Sequence, residues 1–367
     1  MTETNPLAFF ECVVEAYQCA EQAAGGALDR YYAIGGYIIR LRFAGPALVP
    51  FITPSLEHLA AFPNVTRADL TICLWESAST ATLMPPCPWE LDDLIARGDV
   101  RGFSNARIHT ALSGDVGAVS MLDEMENLGV YWIRDASHVP TYERGAPLRV
   151  MIHWWMRQRG LFLVHTGAVG YHEEGALLVG KGGSGKSTCA LAGLMSGWNY
   201  VGDDYCLLAP RQAASGKSLS TVNSFQDVRT DGAPYVYSLY SSAKLNADHL
   251  KNFPTLLSGI SNPEELSSEK ALLYLHEHQP TSLISGLPVR VIFLPRVTGR
   301  LETVANPAAP TAALQALAPS SLFQLPGTGE AEFHALGDLV KRIPCYHLEL
   351  GTELERIPET MMKVMLQ

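Results

Sequence analysis

The sequence predicts a two-domain α/β protein, with an N-terminal α+β module over residues 1–146 and a mixed-sheet domain over 147–367. Three observations lead there. The chain has 367 residues, which suits roughly two domains of about 150 residues each. Its composition, 47% hydrophobic and 17% charged, supports a buried core and argues against a disordered chain. The pattern also changes near residue 147, where strands and helices begin to alternate around one apolar run and one glycine-rich turn.

Charge and composition exclude several classes. With 27 basic against 37 acidic residues, a net charge of −10, the chain lacks the footprint of a nucleic-acid binder. Its first residues, MTETNP, lack the basic and apolar regions of a secretory signal. The longest uncharged stretch, 303–329, could cross a bilayer on length alone. Pro307, Pro310, Pro319 and Pro326 argue against a spanning helix there, so no membrane partner is expected. The seven cysteines are scattered without a C-x-x-C pair and read as reduced thiols of a cytoplasmic protein.

Element by element, residues 5–22 read as a helix capped by Asn5, with Pro6 in the first position and Leu7, Phe10, Val14 and Tyr17 at helical spacing. Alternation and β-branching mark strands at 37–43 and 69–74, and shorter ones at 106–109, 117–122 and 129–133. This first module carries no catalytic motif and is the candidate for acceptor recognition. Residues 148–159 read as a helix opening the second domain, followed by a strand at 161–170, a turn at 172–175 and a return strand at 176–179. A helix at 187–195 and a strand at 200–202 follow. Further strands are predicted at 272–275, 289–294 and 345–350. Helices are predicted at 243–252, 311–318, 331–341 and 358–366.

The strongest motif is Gly180-Lys181-Gly182-Gly183-Ser184-Gly185-Lys186-Ser187, an unbroken G-x-x-x-x-G-K-S followed by Thr188. Its glycines let successive N–H groups curl round phosphate oxygens at a helix N-terminus. Lys186 would reach the β- and γ-phosphates, and the Ser187 hydroxyl would ligand Mg²⁺. Asp203 and Asp204 arrive only one helix and one strand later. Adjacent strand residues face opposite ways, so both can address one site only at a fraying strand end. One would then serve Mg²⁺ and the other the attacking hydroxyl, in either order. If the turn is centred between residues 173 and 174, His165 falls opposite Gly182 and becomes a polar group of the site.

Other residues are weaker candidates. Arg290 and Arg296 flank the apolar run 291–294, and Arg296 is placed to meet a γ-phosphate. Lys244 and Lys270 could contact phosphate or substrate, though solvated lysines are the default. His276-Glu277-His278 lacks a third ligand at recognisable spacing and reads as surface. Ser320 and Ser321 could cap a turn or bind phosphate, with the cap favoured.

The stretch Val164-His165-Thr166-Gly167, then GKGGSGKST, then Val201-Gly202-Asp203-Asp204 resembles the catalytic domain of HPr kinase/phosphorylase. More distantly it is similar to ATP-dependent phosphoenolpyruvate carboxykinase. The resemblance covers residues 161–209 and rests on the acid pair standing so close behind the glycine motif. It implies a P-loop kinase domain of HPr-kinase/carboxykinase type, with ATP and Mg²⁺ as cofactors. It also makes His165 the active-site histidine and Asp203 and Asp204 the metal- and base-supplying pair. The family's Gly-rich signature with Glu and Arg is replaced here by Gln226-Asp227-Val228-Arg229 and the run from Tyr237 to Lys244, which argues against HPr as the acceptor. The runs YSLYSSAKL, LPVRVIFLPRV and ALAPSSLFQLPG look like related kinases of peptide-modification clusters, including lasso-peptide precursor kinases.

The expectation is a phosphotransferase acting on a hydroxyl, with a Ser of a peptide or protein as favoured acceptor. Gly180, Gly182, Gly183, Ser184, Gly185, Lys186, Ser187 and Thr188 would bind the nucleotide. Ser187, Asp203 and Asp204 would serve the metal, and Asp204, His165, Lys186 and Arg296 the chemistry. A small-molecule kinase and a non-catalytic nucleotide-gated module are the alternatives, with carboxykinase chemistry a distant third. A homo-oligomer is compatible with the sequence, as is the reverse, phosphate-dependent reaction.

Overall fold

Asn5 caps the first helix as its sequence requires. In the computed structural model, which describes residues 5–61, 67–210 and 232–367, Asn5 Oδ1 accepts from the Leu7 N–H at 3.0 Å. Helix α1 (Pro6–Ala23) buries Phe9, Phe10, Val13, Tyr17 and Ala20, a stripe of helical period. There follow β1 (Ala27–Ile34), β2 (Tyr37–Ala44), α2 (Val49–Ile52), β3 (Leu70–Glu76), α3 (Ser77–Thr80), β4 (Ile108–Ser113), β5 (Ala118–Asp123) and β6 (Leu128–Ile133). They build a six-stranded sheet in the order β1-β2-β3-β6-β5-β4, parallel at β2–β3 and β3–β6 and antiparallel elsewhere. Strand β1 escapes the sequence reading because Asp29 and Arg30 interrupt its apolar alternation.

Two compact units divide the chain: Met1–Arg159 with Phe323–Gly327, and Gly160–Leu322 with Thr328–Gln367. Helices α4 (Thr141–Gly145) and α5 (Arg149–Arg157) close the first unit. Helix α5, expected at the head of the second domain, belongs to the first. Trp155 Nε1 donates to Asn127 Oδ1 at 2.8 Å. Gly129 on β6 leaves room for Met151, whose Sδ would stand 3.1 Å from a Cβ there.

The second unit begins with a correction. The single strand expected at 161–170 is two, β7 (Phe162–Val164) and β8 (Gly167–Tyr171), broken at His165 and Thr166. Strand β7 pairs with the later β11, whereas β8 pairs with β9 (Glu174–Leu178). Thr166 holds the break by donating from Oγ1 to Leu178 O at 2.9 Å. The β8–β9 turn is also one residue earlier than expected. Tyr171 pairs with Glu174, and His172 sits at φ 53° in a two-residue loop. Continuing that register places Gly180, not Gly182, across from His165.

Next come α6 (Lys186–Met195), β10 (Asn199–Gly202), β11 (Cys206–Ala209), β12 (Tyr235–Tyr237), β13 (Ser242–Leu245), α7 (Ala247–Leu250) and β14 (Ala271–Tyr274). The chain continues through β15 (Gly286–Val297), β16 (Val304–Pro307), α8 (Pro310–Leu322), α9 (Glu330–Arg342), β17 (Cys345–Leu350) and α10 (Arg356–Met365). Nine strands form one mixed sheet, running β10-β8-β9-β15-β12-β11-β7, with β17 on β15 and β16 on β17. The long β15 is its hub, parallel to β9 and β17 and antiparallel to β12. Val291 and Phe293 pack into an apolar cluster with α6 and α10, while Ile292 and Leu294 pack with α8 and α9 on the other face. This period-two division puts helices on both sides of the sheet.

Two further expectations change. The helix expected at 243–252 opens as strand β13, paired with β14 through Lys244 and Leu272, and only α7 is helical. Ser320 and Ser321 lie within α8, not at a turn. Among the described residues no helix is long and apolar enough to cross a membrane, and all seven cysteines are free. The region of Gln226-Asp227-Val228-Arg229 lies outside the described residues.

Candidate functional site

The glycine motif connects the end of β9 to the start of α6, the strand–loop–helix order that its sequence demands. Each end of the loop needs glycine for a separate reason. A Cβ at Gly180 would fall 2.6 Å from Ser184 Oγ. Gly185, at φ 107°, has no room for a side chain against Leu350, and Gly183 also sits at a left-handed φ of 79°. Gly182 lies on open space. The backbone therefore curls as a phosphate nest requires. Lys186 opens α6, is buried, and donates from Nζ to Gly180 O at 2.7 Å and Lys181 O at 3.3 Å. Ser187 and Thr188 follow on the first turn.

The two aspartates stand just beyond β10, which ends at Gly202, so they meet the condition for addressing one place. Their environments differ. Asp203 is buried at 4% exposure, has the Ser187 hydroxyl as a neighbour that lowers its carboxyl, and leaves Oδ1 without a hydrogen-bond partner among the described residues. Burial pushes its carboxyl up to about 6, opposed by the neighbouring Ser187 hydroxyl. Asp204 is held on both oxygens. His165 Nε2 lies 2.7 Å from Oδ1 and Lys244 Nζ 2.5 Å from Oδ2. Burial works to raise Asp204 as well. The His165 hydrogen bond and the Lys244 charge overcome it and hold the group well below the usual carboxylate range.

His165 owes its place to the β7–β8 break. Its backbone N–H donates to Ser321 Oγ on α8 at 3.1 Å, and its ring stacks on Tyr205 with centroids 5.2 Å apart. Lys186 is kept below its usual range chiefly by burial. Asp203 and Asp204 oppose this, and the charge of Lys270 adds to it. The structure thus gathers Lys186, Ser187, Asp203, Asp204 and His165 around the loop.

Arg296 is not among them. Its neighbours Pro295 and Val297 border the loop, with Pro295 O and Val297 Cγ2 3.9 and 3.6 Å from Cβ positions at Gly180 and Gly185, whereas Arg296 is exposed on β15 and alternation turns it to the face opposite Val297. Arg290 is elsewhere, with Nε 2.8 Å from Glu174 Oε2 at the far end of the hairpin. His276 and His278 form no metal cluster among the described residues.

Sequence reasoning missed Tyr205 altogether, and it weighed Lys244 and Ser321 as phosphate contacts but favoured a solvated lysine and a turn cap. For Lys244 the signal was present: Ala243 and Leu245 flank it as alternating apolar residues, the mark of a strand with the lysine turned away from the core.

The chain matches no family model and no curated protein. Among solved structures it is similar to the Hpr(Ser) kinase/phosphatase from Coxiella burnetii, at 11% sequence identity, 56% coverage of this chain, 96% coverage of that chain and a TM-score of 0.30. A likeness that loose adds no argument to the geometry, and what the site can do follows from its own residues.

Proposed function

We propose that the protein is an ATP- and Mg²⁺-dependent kinase that transfers the γ-phosphoryl group to a hydroxyl, with a Ser of a peptide or protein as the acceptor. The observation that supports this best is the division of labour between Asp203 and Asp204. One is buried beside Ser187 with an oxygen left over; the other is ionised and clamped by His165 and Lys244. A buried, unpartnered carboxylate oxygen next to a hydroxyl is the donor set that a hard divalent cation takes, so the residues present fit the metal. The glycine loop fits a phosphate chain on the same grounds.

Mg²⁺ held by Ser187 and Asp203 would neutralise charge on the β- and γ-phosphates. The loop N–H groups and Lys186 hold the phosphate chain, the ammonium exchanging the Gly180 and Lys181 carbonyls for phosphate oxygens. Asp204 orients the acceptor hydroxyl. As the acceptor O–H bond breaks, a new O–P bond forms, the bond from phosphorus to the ADP oxygen breaks, and the proton passes to Asp204. The transition state for such transfer is loose and makes little demand on base strength, so a carboxylate held below its usual range suffices. His165 keeps that carboxylate in place, and Lys186 is the cation that meets developing charge.

The Ser acceptor rests on the motif resemblance and is the finer part of the reading. Incubation of the full chain with γ-labelled ATP, Mg²⁺ and a degenerate pool of Ser-containing peptides tests it. Label in peptide is expected. Binding of ATP without turnover would replace the kinase with a nucleotide-gated module.

A further inference from the structure

We propose that the strand pair β13–β14 is a cationic arm of this site, in which Lys244 is the positioning residue that aims Asp204 at the acceptor hydroxyl. The inference rests on the phosphoryl-transfer reading and adds to it a residue outside the glycine motif and the acid pair.

The arm is fixed by its own packing. Ala243 and Leu245 are buried in the cluster around α6, together with Ala271 and Leu273 of the partner strand. Tyr200 Oη donates to Ser242 O at 3.3 Å, and the ladder runs from Ser242–Tyr274 to Leu245–Ala271. With both neighbours anchored in the core, alternation turns Lys244 the other way, where its Nζ meets Asp204 Oδ2 at 2.5 Å. Ordering a long, flexible lysine side chain costs rotamer entropy, so a lysine held this way is matched by a specific partner. Asp204 is that partner.

The geometry has a consequence for the neighbouring acid. His165 on one oxygen and Lys244 on the other fix the plane of the Asp204 carboxylate. It is thereby kept from turning to join Asp203 and Ser187, and the two adjacent acids retain separate roles. Lys270, exposed and immediately ahead of β14, gives the same arm a second positive charge, which acts on Lys186. An acidic protein thus concentrates cations at one place where a polyphosphate would sit.

Lys244→Gln and Lys244→Arg variants of the full chain test the proposal. ATP consumption is followed with Mg²⁺ and the Ser-peptide pool, and affinity for a fluorescent ATP analogue is measured in parallel. The glutamine variant should lose about a hundredfold in kcat while its nucleotide affinity stays within about threefold, because misorientation acts on transfer and not on binding. The arginine variant, which keeps charge and reach, should recover to within about tenfold of the native rate. A glutamine variant with native kcat overturns the proposal. So does a parallel fall of kcat, nucleotide affinity and thermal midpoint, which would mark Lys244 as a structural ion pair. Absence of any ATP consumption by the native chain would instead overturn the phosphoryl-transfer reading, and this inference with it.

Discussion

Nε2 of His165 stands 2.7 Å from Oδ1 of Asp204, across a gap of 39 residues that the sheet closes by ending β7 one residue before the histidine. The contact makes Asp204 the fixed acid of the pair and leaves Asp203 to face Ser187. The two aspartates, equivalent on paper, should therefore fail in different ways when changed.

Asp204→Asn should keep nucleotide affinity within about threefold and lose transfer by about 10³-fold, the range expected on removing a positioned proton acceptor. Asp203→Asn should instead raise the Mg²⁺ concentration needed for half-maximal ATP consumption by about tenfold or more. Mg²⁺ titrations of both variants separate the roles. If Asp204→Asn shifts the Mg²⁺ requirement and Asp203→Asn does not, the assignments are exchanged.

Gly185 cannot accept a side chain for two reasons at once, its φ of 107° and the crowding against Leu350. Gly185→Ala should weaken binding of a fluorescent ATP analogue by about tenfold or more, since the strained loop loses its curl. Gly182, with nothing near its Cβ position and no left-handed φ, should tolerate alanine with affinity within about threefold. Equal effects at the two positions would contradict the loop geometry.

The first unit offers a test of its own electrostatics. Burial raises Glu124 to about 7, against the nearby Arg159 and Arg157, with Arg159 Nη1 3.9 Å from Oε2. A carboxyl raised in the folded state adds stability below its unfolded value and loses it as pH climbs through the folded one. Glu124→Gln should thus gain on the native protein between about pH 5 and pH 8, by up to about 3 kcal/mol. His109, pushed down to about 4 by burial, lies 3.7 Å from Glu124 Oε1 through Nε2 and titrates in the same range, so Glu124→Gln is compared in a His109→Gln background. Urea midpoints across that range measure it; a pH-independent difference would rule the buried-acid account out.

How much of this was legible depended on how local each cause is. The glycine loop could be read directly because its φ values and close approaches are demands that only glycine meets at that spacing. Strand 345–350 was read to the residue, since apolar alternation and its boundaries coincide. The β7–β8 break was not legible. It arises from β7 joining β11 and β8 joining β9, pairings made by segments far apart in the chain. Lys244 was set down as solvated because the alternation of Ala243 and Leu245 around it spans a strand of only four residues, followed at once by α7, too few periods to outweigh a helix reading. The acids could be placed at the site but not distinguished, because what separates them is His165 on one side and Lys244 on the other, contacts that belong to the folded sheet.

The central claim is that loop 180–185 and Lys186 hold the phosphates of ATP with Mg²⁺. Titration of the full chain with a fluorescent ATP analogue, with and without Mg²⁺, tests it most directly when set beside Lys186→Ala. The native chain should bind saturably and more tightly with Mg²⁺, and the variant should bind about a hundredfold more weakly. Native-like binding by Lys186→Ala, or no binding by the native chain, would contradict the account.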